Sequence, residues 1–333
     1  MSKPRNQQIC LSETPYYHCV SRCVRQAFLC GADVHSKKSY KHRRALVEQR
    51  LLMLTATFAI DVCAYAIMSN HSHVVVKINK AKAQHWNLKQ VLNRWHKLHY
   101  GTYLTRRYCK DEQLNTLEEK AVIEFAEKCR NRLYSLSWFM RELNEFVARR
   151  ANEEDGCTGR FWEGKFKSQP LLDMPALISC MVYVDLNPVR ACMAKSLSDS
   201  DHTSIQQRLI SSLKSKQPVE LLPFADNVAN ERSNNSSQVI SFKLKDYLTL
   251  VEQTGRSIRN DKAGFINSEQ ISCLSTLNIA ENNWLDLTSN FETLFRSAVG
   301  AVEKLSNYCK TQGIQRRYNL KNSQKLFSSA KIK

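Results

Sequence analysis

Two histidines one residue apart, His71 and His73, open the apolar run HSHVVVKI. Strand side chains alternate between faces, so both point the same way. Two imidazoles side by side on a rigid strand supply half of a divalent-metal site. Further along, in ALISCMVYVDLNPVR (176–190), Tyr183 and Asn187 lie four apart, on one face of an expected helix. A metal pair, a tyrosine and a strongly basic chain point to one chemistry, a tyrosine attacking a DNA phosphate. Each residue also has a plainer reading. A histidine beside a strand is often a hydrogen-bonded structural residue. Tyr183 is equally a core aromatic on an apolar helix.

A tyrosine hydroxyl, with a pKa of about 10, is a weak nucleophile at neutral pH. A nearby divalent cation stabilises charge on the attacked phosphate and helps orient it. Neutral imidazoles and a neutral amide oxygen leave the cation's charge uncompensated, which suits an anionic phosphodiester. Tyr100, Tyr103, Tyr108 and Tyr134 lie between the two blocks and compete with Tyr183. An amide one helical turn on, Asn187, favours Tyr183, although Asn187 also reads as a helix-end residue before Pro188.

The elements that must position these groups are legible in outline. PYYHCVSRC (15–23) is aromatic and β-branched and reads as a strand, on which His18 and Arg22 share a face. Residues 38–57 read as a helix, 59–68 as a second strand and 71–78 as a third, antiparallel to the second because residues 68–70 form a short turn. Residues 84–100, 116–133 and 135–153 read as helices. A fourth strand is expected near 165–172. Asp173 and Pro175 mark the start of a helix, from about 174, that ends at Asn187, since a following proline disfavours further α geometry. The order β-α-β-β-α-β plus a terminal helix predicts a ferredoxin-like α+β sandwich. In GRFWEGKFKS, Arg160, Trp162, Lys165 and Lys167 interleave cation and ring, the composition of a single-strand DNA groove, or else core rings with solvated lysines between them. Trp95, Trp138 and Phe139 stand at helical spacing and read as core.

Those blocks, in that order, resemble the REP-associated tyrosine transposases, of the wider single-tyrosine HUH group. The resemblance covers roughly residues 14–205. It implies that His71 and His73 are metal ligands in the His-hydrophobic-His motif, with Ser72 where the family has an apolar residue. It implies that Tyr183, in Tyr-x-x-x-Asn-Pro, is the nucleophile and Asn187 the third metal ligand. His18 and Arg22 fall in the family's opening strand and are expected, with Arg160, Trp162, Lys165 and Lys167, to contact DNA. The implied cofactor is Mg²⁺ or Mn²⁺, although imidazoles also suit Zn²⁺. The implied product is a 5′-phosphotyrosine with a free 3′-OH, on single-stranded or hairpin DNA. Residues 101–130 look like an insertion into this pattern.

With 333 residues the chain is long enough for two domains. Residues 1–210 are expected to form the catalytic domain and 211–238, polar and rich in turn signals, a linker. Residues 239–333 are expected to form a helical accessory domain that adds DNA affinity and no catalytic residue. The net charge of +18 favours a polyanionic partner. No apolar run reaches membrane-spanning length, and the N-terminus lacks the apolar core of a signal peptide. The twelve cysteines include no Cys-x-x-Cys pair and read as reduced residues of a cytoplasmic protein. A homodimer is left open. Two rival functions stand beside a DNA endonuclease and strand transferase. One is a domesticated hairpin-binding regulator that does not cleave. The other is a replication or mobilisation initiator, for which no helicase or relaxase region is visible.

Overall fold

The structure, a computed structural model, describes residues 8–24, 39–225, 239–258, 273–315 and 319–327. Strand β1 (Tyr16–Arg22) leads to helix α1 (His42–Thr57) and the hairpin β2 (Ile60–Ile67) and β3 (His71–Ile78). There follow α2 (Lys80–His85), α3 (Leu88–His96), α4 (Tyr103–Cys109), α5 (Thr116–Leu133) and α6 (Leu136–Glu154). Next come β4 (Lys167–Leu171), α7 (Met174–Asp185), α8 (Asn187–Arg190) and α9 (Ser204–Ser212). Beyond residue 239 lie α10 (Leu244–Ile258), α11 (Glu281–Leu294), α12 (Val302–Thr311) and α13 (Leu320–Leu326).

The four strands form one antiparallel sheet in the order β2-β3-β1-β4. The β2–β3 register shifts between Val62 and Ala64, where a bulge leaves Cys63 extra. On one face, Val47, Leu51 and Leu54 of α1 pack with Phe139, Leu143 and Val147 of α6 against Tyr17, Cys19, Val74 and Val76. The other face, carrying Ala64, Ala66, Val75 and Leu171, is covered by α7.

Helix α7 is apolar all round, with every residue from Ala176 to Asp185 buried. Such a helix needs cover on both sides. The sheet supplies one side; Tyr247, Leu250 and Val251 of α10 with Trp284, Leu287 and Phe291 of α11 supply the other, in one continuous apolar core. The described residues beyond 239 therefore do not stand off from the rest: α10 and α11 complete the core around α7. Asp185 ties the layers together. Its carboxylate accepts from Ser204 Oγ, from the Ile205 amide at 3.1 Å and from the Tyr247 hydroxyl.

Three local readings change. The helix expected over 84–100 is two, α2 and α3, because Asn87 caps α3: its Oδ1 accepts from the Gln90 amide at 2.8 Å, while Gln90 Oε1 accepts from the Asn87 amide at 3.0 Å. The helix expected to end at Asn187 ends at Asp185, and Pro188 sits in the first turn of α8, where its missing N–H costs nothing. Residues 211–238 are not all loop: 211 and 212 end α9, and Leu221 and Phe224 are buried. Residues 226–238 lie outside the described residues. The segment 101–130 forms α4 and most of α5, packed on α3 through Leu92, Val122 and Ala126. The described cysteines are all free, and no described helix is long and apolar enough to cross a membrane.

Candidate functional site

The pairing of β1 with β3 puts Arg22 opposite His71, Val20 opposite His73 and His18 opposite Val75. Paired residues share a face, and a diagonal neighbour is within reach of a ring. His18 and His73 are such diagonal neighbours, and their rings stack, 5.2 Å apart and 12° from parallel. His18 Nε2 lies 3.0 Å from His73 Nδ1. His71 meets His73 edge-on with ring centroids 4.8 Å apart. Its Nδ1 donates to Asn70 Oδ1 at 2.6 Å, which leaves Nε2 with its lone pair.

Helix α7 brings Tyr183 over these rings, its centroid 5.9 Å from that of His73 and 6.4 Å from that of His18. Helix α11 brings two further groups. Glu292 Oε1 lies 3.7 Å from His73 Nδ1, and Phe291 lies against Tyr183 at 5.7 Å. Gln169 of β4 holds this end of α11 in place, its Nε2 donating to the Phe295 carbonyl at 2.6 Å and the Ser297 carbonyl at 2.8 Å. The Arg190 guanidinium lies 3.8 Å over the Tyr183 ring, and its Nη2 donates to the Tyr183 carbonyl at 3.0 Å.

Sequence reasoning anticipated His71, His73 and Tyr183 in one place, and the structure gathers them. His18, expected to contact DNA, is 1% exposed and part of the histidine cluster instead, because antiparallel pairing turns its face inward under α7 and α11. Glu292 was not anticipated, and no local signal in NFETLF marks it. Asn187 heads α8, is 9% exposed and has a buried Nδ2 without a hydrogen-bond partner. Arg22, Lys165 and Lys167 line a cleft of about 700 Å³ that reaches His18 and Glu292. Arg160 is exposed, and Trp162 is half-buried with its Nε1–H donating to the Asn144 carbonyl at 2.8 Å.

The residues fit a divalent cation. The candidate ligand atoms of His18, His73 and Glu292 all lie within 4.8 Å of one another. Two ring nitrogens each about 2.1 Å from one cation and at right angles would be about 3.0 Å apart, the separation between His18 and His73. The His73 nitrogen that faces His18 and Glu292 is Nδ1; its other ring nitrogen, Nε2, is buried without a partner. Burial pushes the His18 and His71 imidazoles down to about 4 and holds His73 well below its ordinary range, with the neighbouring rings and cations adding to the shift of His71 and His73. All three are neutral at pH 7, the form that binds metal. Gln169 accepts from His18 Nδ1 and orients that candidate ligand, and Asn70 accepts from the neighbouring His71. The Tyr183 hydroxyl is pushed up to about 12, first by burial and then by the Glu292 charge, with Arg190 acting in the opposite direction.

These shifts have a stability consequence. Between about pH 6.5 and about pH 4 the unfolded chain protonates three imidazoles that the fold keeps neutral, so stability is full above 6.5 and is lost as pH falls. Asp185, pushed up to about 6 by burial, and Asp173, raised by burial, act oppositely. The three clustered imidazoles, joined by His96, which burial also lowers, outnumber the two carboxyls: in chelator, thermal unfolding should come at lower temperature at pH 5 than at pH 7. An equal or higher midpoint at pH 5 contradicts the neutral cluster.

No family model matches the sequence, and no curated protein matches it. Among solved structures the chain is similar to a REP-associated tyrosine transposase bound to a REP hairpin. The two are 11% identical, with a TM-score of 0.36, over 64% of this chain and 88% of that one.

Proposed function

We propose that the chain is a metal-dependent endonuclease and strand transferase for single-stranded or hairpin DNA, working through a covalent 5′-phosphotyrosine on Tyr183. One observation carries this reading: Tyr183, from α7, stands over the histidine cluster of β1 and β3, with Glu292 closing the group. The fold we propose is the ferredoxin-like sandwich of HUH nucleases. In its favour, the sheet order is β4-β1-β3-β2, α1 and α6 share one face, and the tyrosine helix covers the other. Residues 1–210 would carry the sheet chemistry, and 239–333 would form a helical extension that contributes Glu292. The reading places the protein with DNA in the cytoplasm.

In the reaction, the Tyr183 oxygen attacks the phosphorus, the P–O3′ bond breaks, and the hydroxyl proton ends on the departing 3′ oxygen. His73, His18 and Glu292 would hold Mg²⁺ or Mn²⁺, with His71 against His73, and Asn187 is the further ligand that the resemblance implies. That ion would supply charge stabilisation at the attacked phosphate. Arg190 steadies the ring and favours the phenolate. Glu292, whose charge acts on the Tyr183 hydroxyl, has a second carboxylate oxygen that would accept the hydroxyl proton. Arg22, Lys165 and Lys167 lead a phosphate backbone to the cleft.

The testing experiment is direct. Incubation with hairpin DNA carrying single-stranded flanks, in Mn²⁺, should give a protein–DNA adduct that survives denaturing electrophoresis. A second reading, hairpin binding without cleavage, is favoured by the cover on Tyr183, which is 8% exposed beneath Phe291. Tight binding with no adduct in any metal would select it.

A further inference from the structure

A second cavity, of about 470 Å³, lies beside the cleft, and Gly164 and Lys165 line both. Its floor is one stripe of α6, Met140, Asn144 and Ala148, spaced four apart. Trp162 and Phe166 form its aromatic walls, and Arg141 and Glu145 stand at its mouth, paired at 3.2 Å. The hydrogen bond from Trp162 Nε1 to the Asn144 carbonyl fixes the indole plane. Asn144 Nδ2 donates to Ser21 Oγ at 2.9 Å, while its Oδ1 is buried without a partner. A buried acceptor left unmet costs about 1–3 kcal/mol. It is explained if a ligand donates to it.

We propose that this cavity receives one unpaired, amino-bearing nucleobase of the DNA strand, stacked on Trp162 and donating to Asn144 Oδ1. The proposal rests on the DNA-processing reading and adds to it a base subsite. An unpaired base brings a flat ring face, which suits Trp162 and Phe166. The exocyclic amines of adenine, cytosine and guanine can donate to Asn144. Thymine has no exocyclic amine, and its N3–H is flanked by two carbonyl oxygens. Lys165, on the shared rim, meets the backbone between the cleft and the base.

The test uses the full-length protein and labelled single strands of about 12 nucleotides, made of dA, dC, dT or abasic residues only. Affinity is read by fluorescence anisotropy at fixed salt. Wild type should bind dA and dC more tightly than dT, and dT more tightly than the abasic strand. Trp162→Ala should lose about tenfold on dA and dC and nothing on the abasic strand. Trp162→Phe, which keeps a ring, should recover most of that loss and guards against a folding defect. Asn144→Leu should erase the preference for dA and dC over dT. Equal binding of dA by wild type and Trp162→Ala, or equal losses on dA and on the abasic strand, overturns the base subsite. If wild type binds no strand, the DNA reading fails along with it; if wild type forms the hairpin adduct while the Trp162 and Asn144 variants bind as it does, the subsite alone fails.

Discussion

Tyr183→Phe should abolish the covalent DNA adduct while leaving the fold and the affinity for DNA in place. The substitution keeps the ring that packs on Phe291 and under Arg190 and removes one oxygen. A lost hydroxyl hydrogen bond is worth about 1 kcal/mol, so the unfolding midpoint should move by only a few degrees. Chemistry is another matter, because no other atom of residue 183 can attack phosphorus. Adduct yield on hairpin DNA in Mn²⁺, beside a thermal melt and a binding isotherm, checks the expectation. An adduct of undiminished yield in the Phe variant would assign the nucleophile to another tyrosine and remove α7 from the mechanism.

Loss of the metal should be nearly as severe. His73→Ala removes the ring at the centre of the cluster, and EDTA removes the ion from the intact protein. Each should lower the rate of adduct formation by at least about 100-fold. Binding of DNA at moderate salt should persist, since charge supplies it separately. Glu292→Gln separates two roles. If Glu292 holds the ion, the variant should need about 10- to 100-fold more Mn²⁺ for half-maximal rate and recover at saturation. Because its charge also raises the Tyr183 hydroxyl, Tyr183 should ionise at lower pH in the same variant when both proteins are compared in chelator. Full adduct formation by wild type in EDTA would sink the metal assignment. An unshifted Mn²⁺ requirement in Glu292→Gln would leave the carboxylate outside it.

The cover over Tyr183 adds a third expectation, smaller in size. Phe291→Ala removes a fully buried ring from the core shared by α7 and α11. Such truncations cost about 3–5 kcal/mol. The variant should melt earlier and, where it remains folded, expose Tyr183 to faster attack by a water-soluble nitrating reagent than in wild type. Unchanged nitration would mean that other groups shield the hydroxyl.

Period and spacing alone place His71 and His73 on one face of a strand, and Tyr183 on a helix after a fourth strand. They also locate the helix over 116–133 and the strand over 71–78, whose observed bounds agree. These are short-range facts: alternation and helical pitch are set by neighbouring residues. What meets each face is decided by contacts between residues far apart in the chain, and no local pattern carries that. His18 joins His73 only because β1 pairs with β3 in one register, 55 residues away. Glu292 and Phe291 reach the site only because α7, apolar on every side, needs a second cover that the sheet cannot give. The uniform burial of α7 was readable in MPALISCMVYVD as an excess of apolar residues. Which helices would satisfy it, and that one would bring a carboxylate to the histidines, was settled by packing.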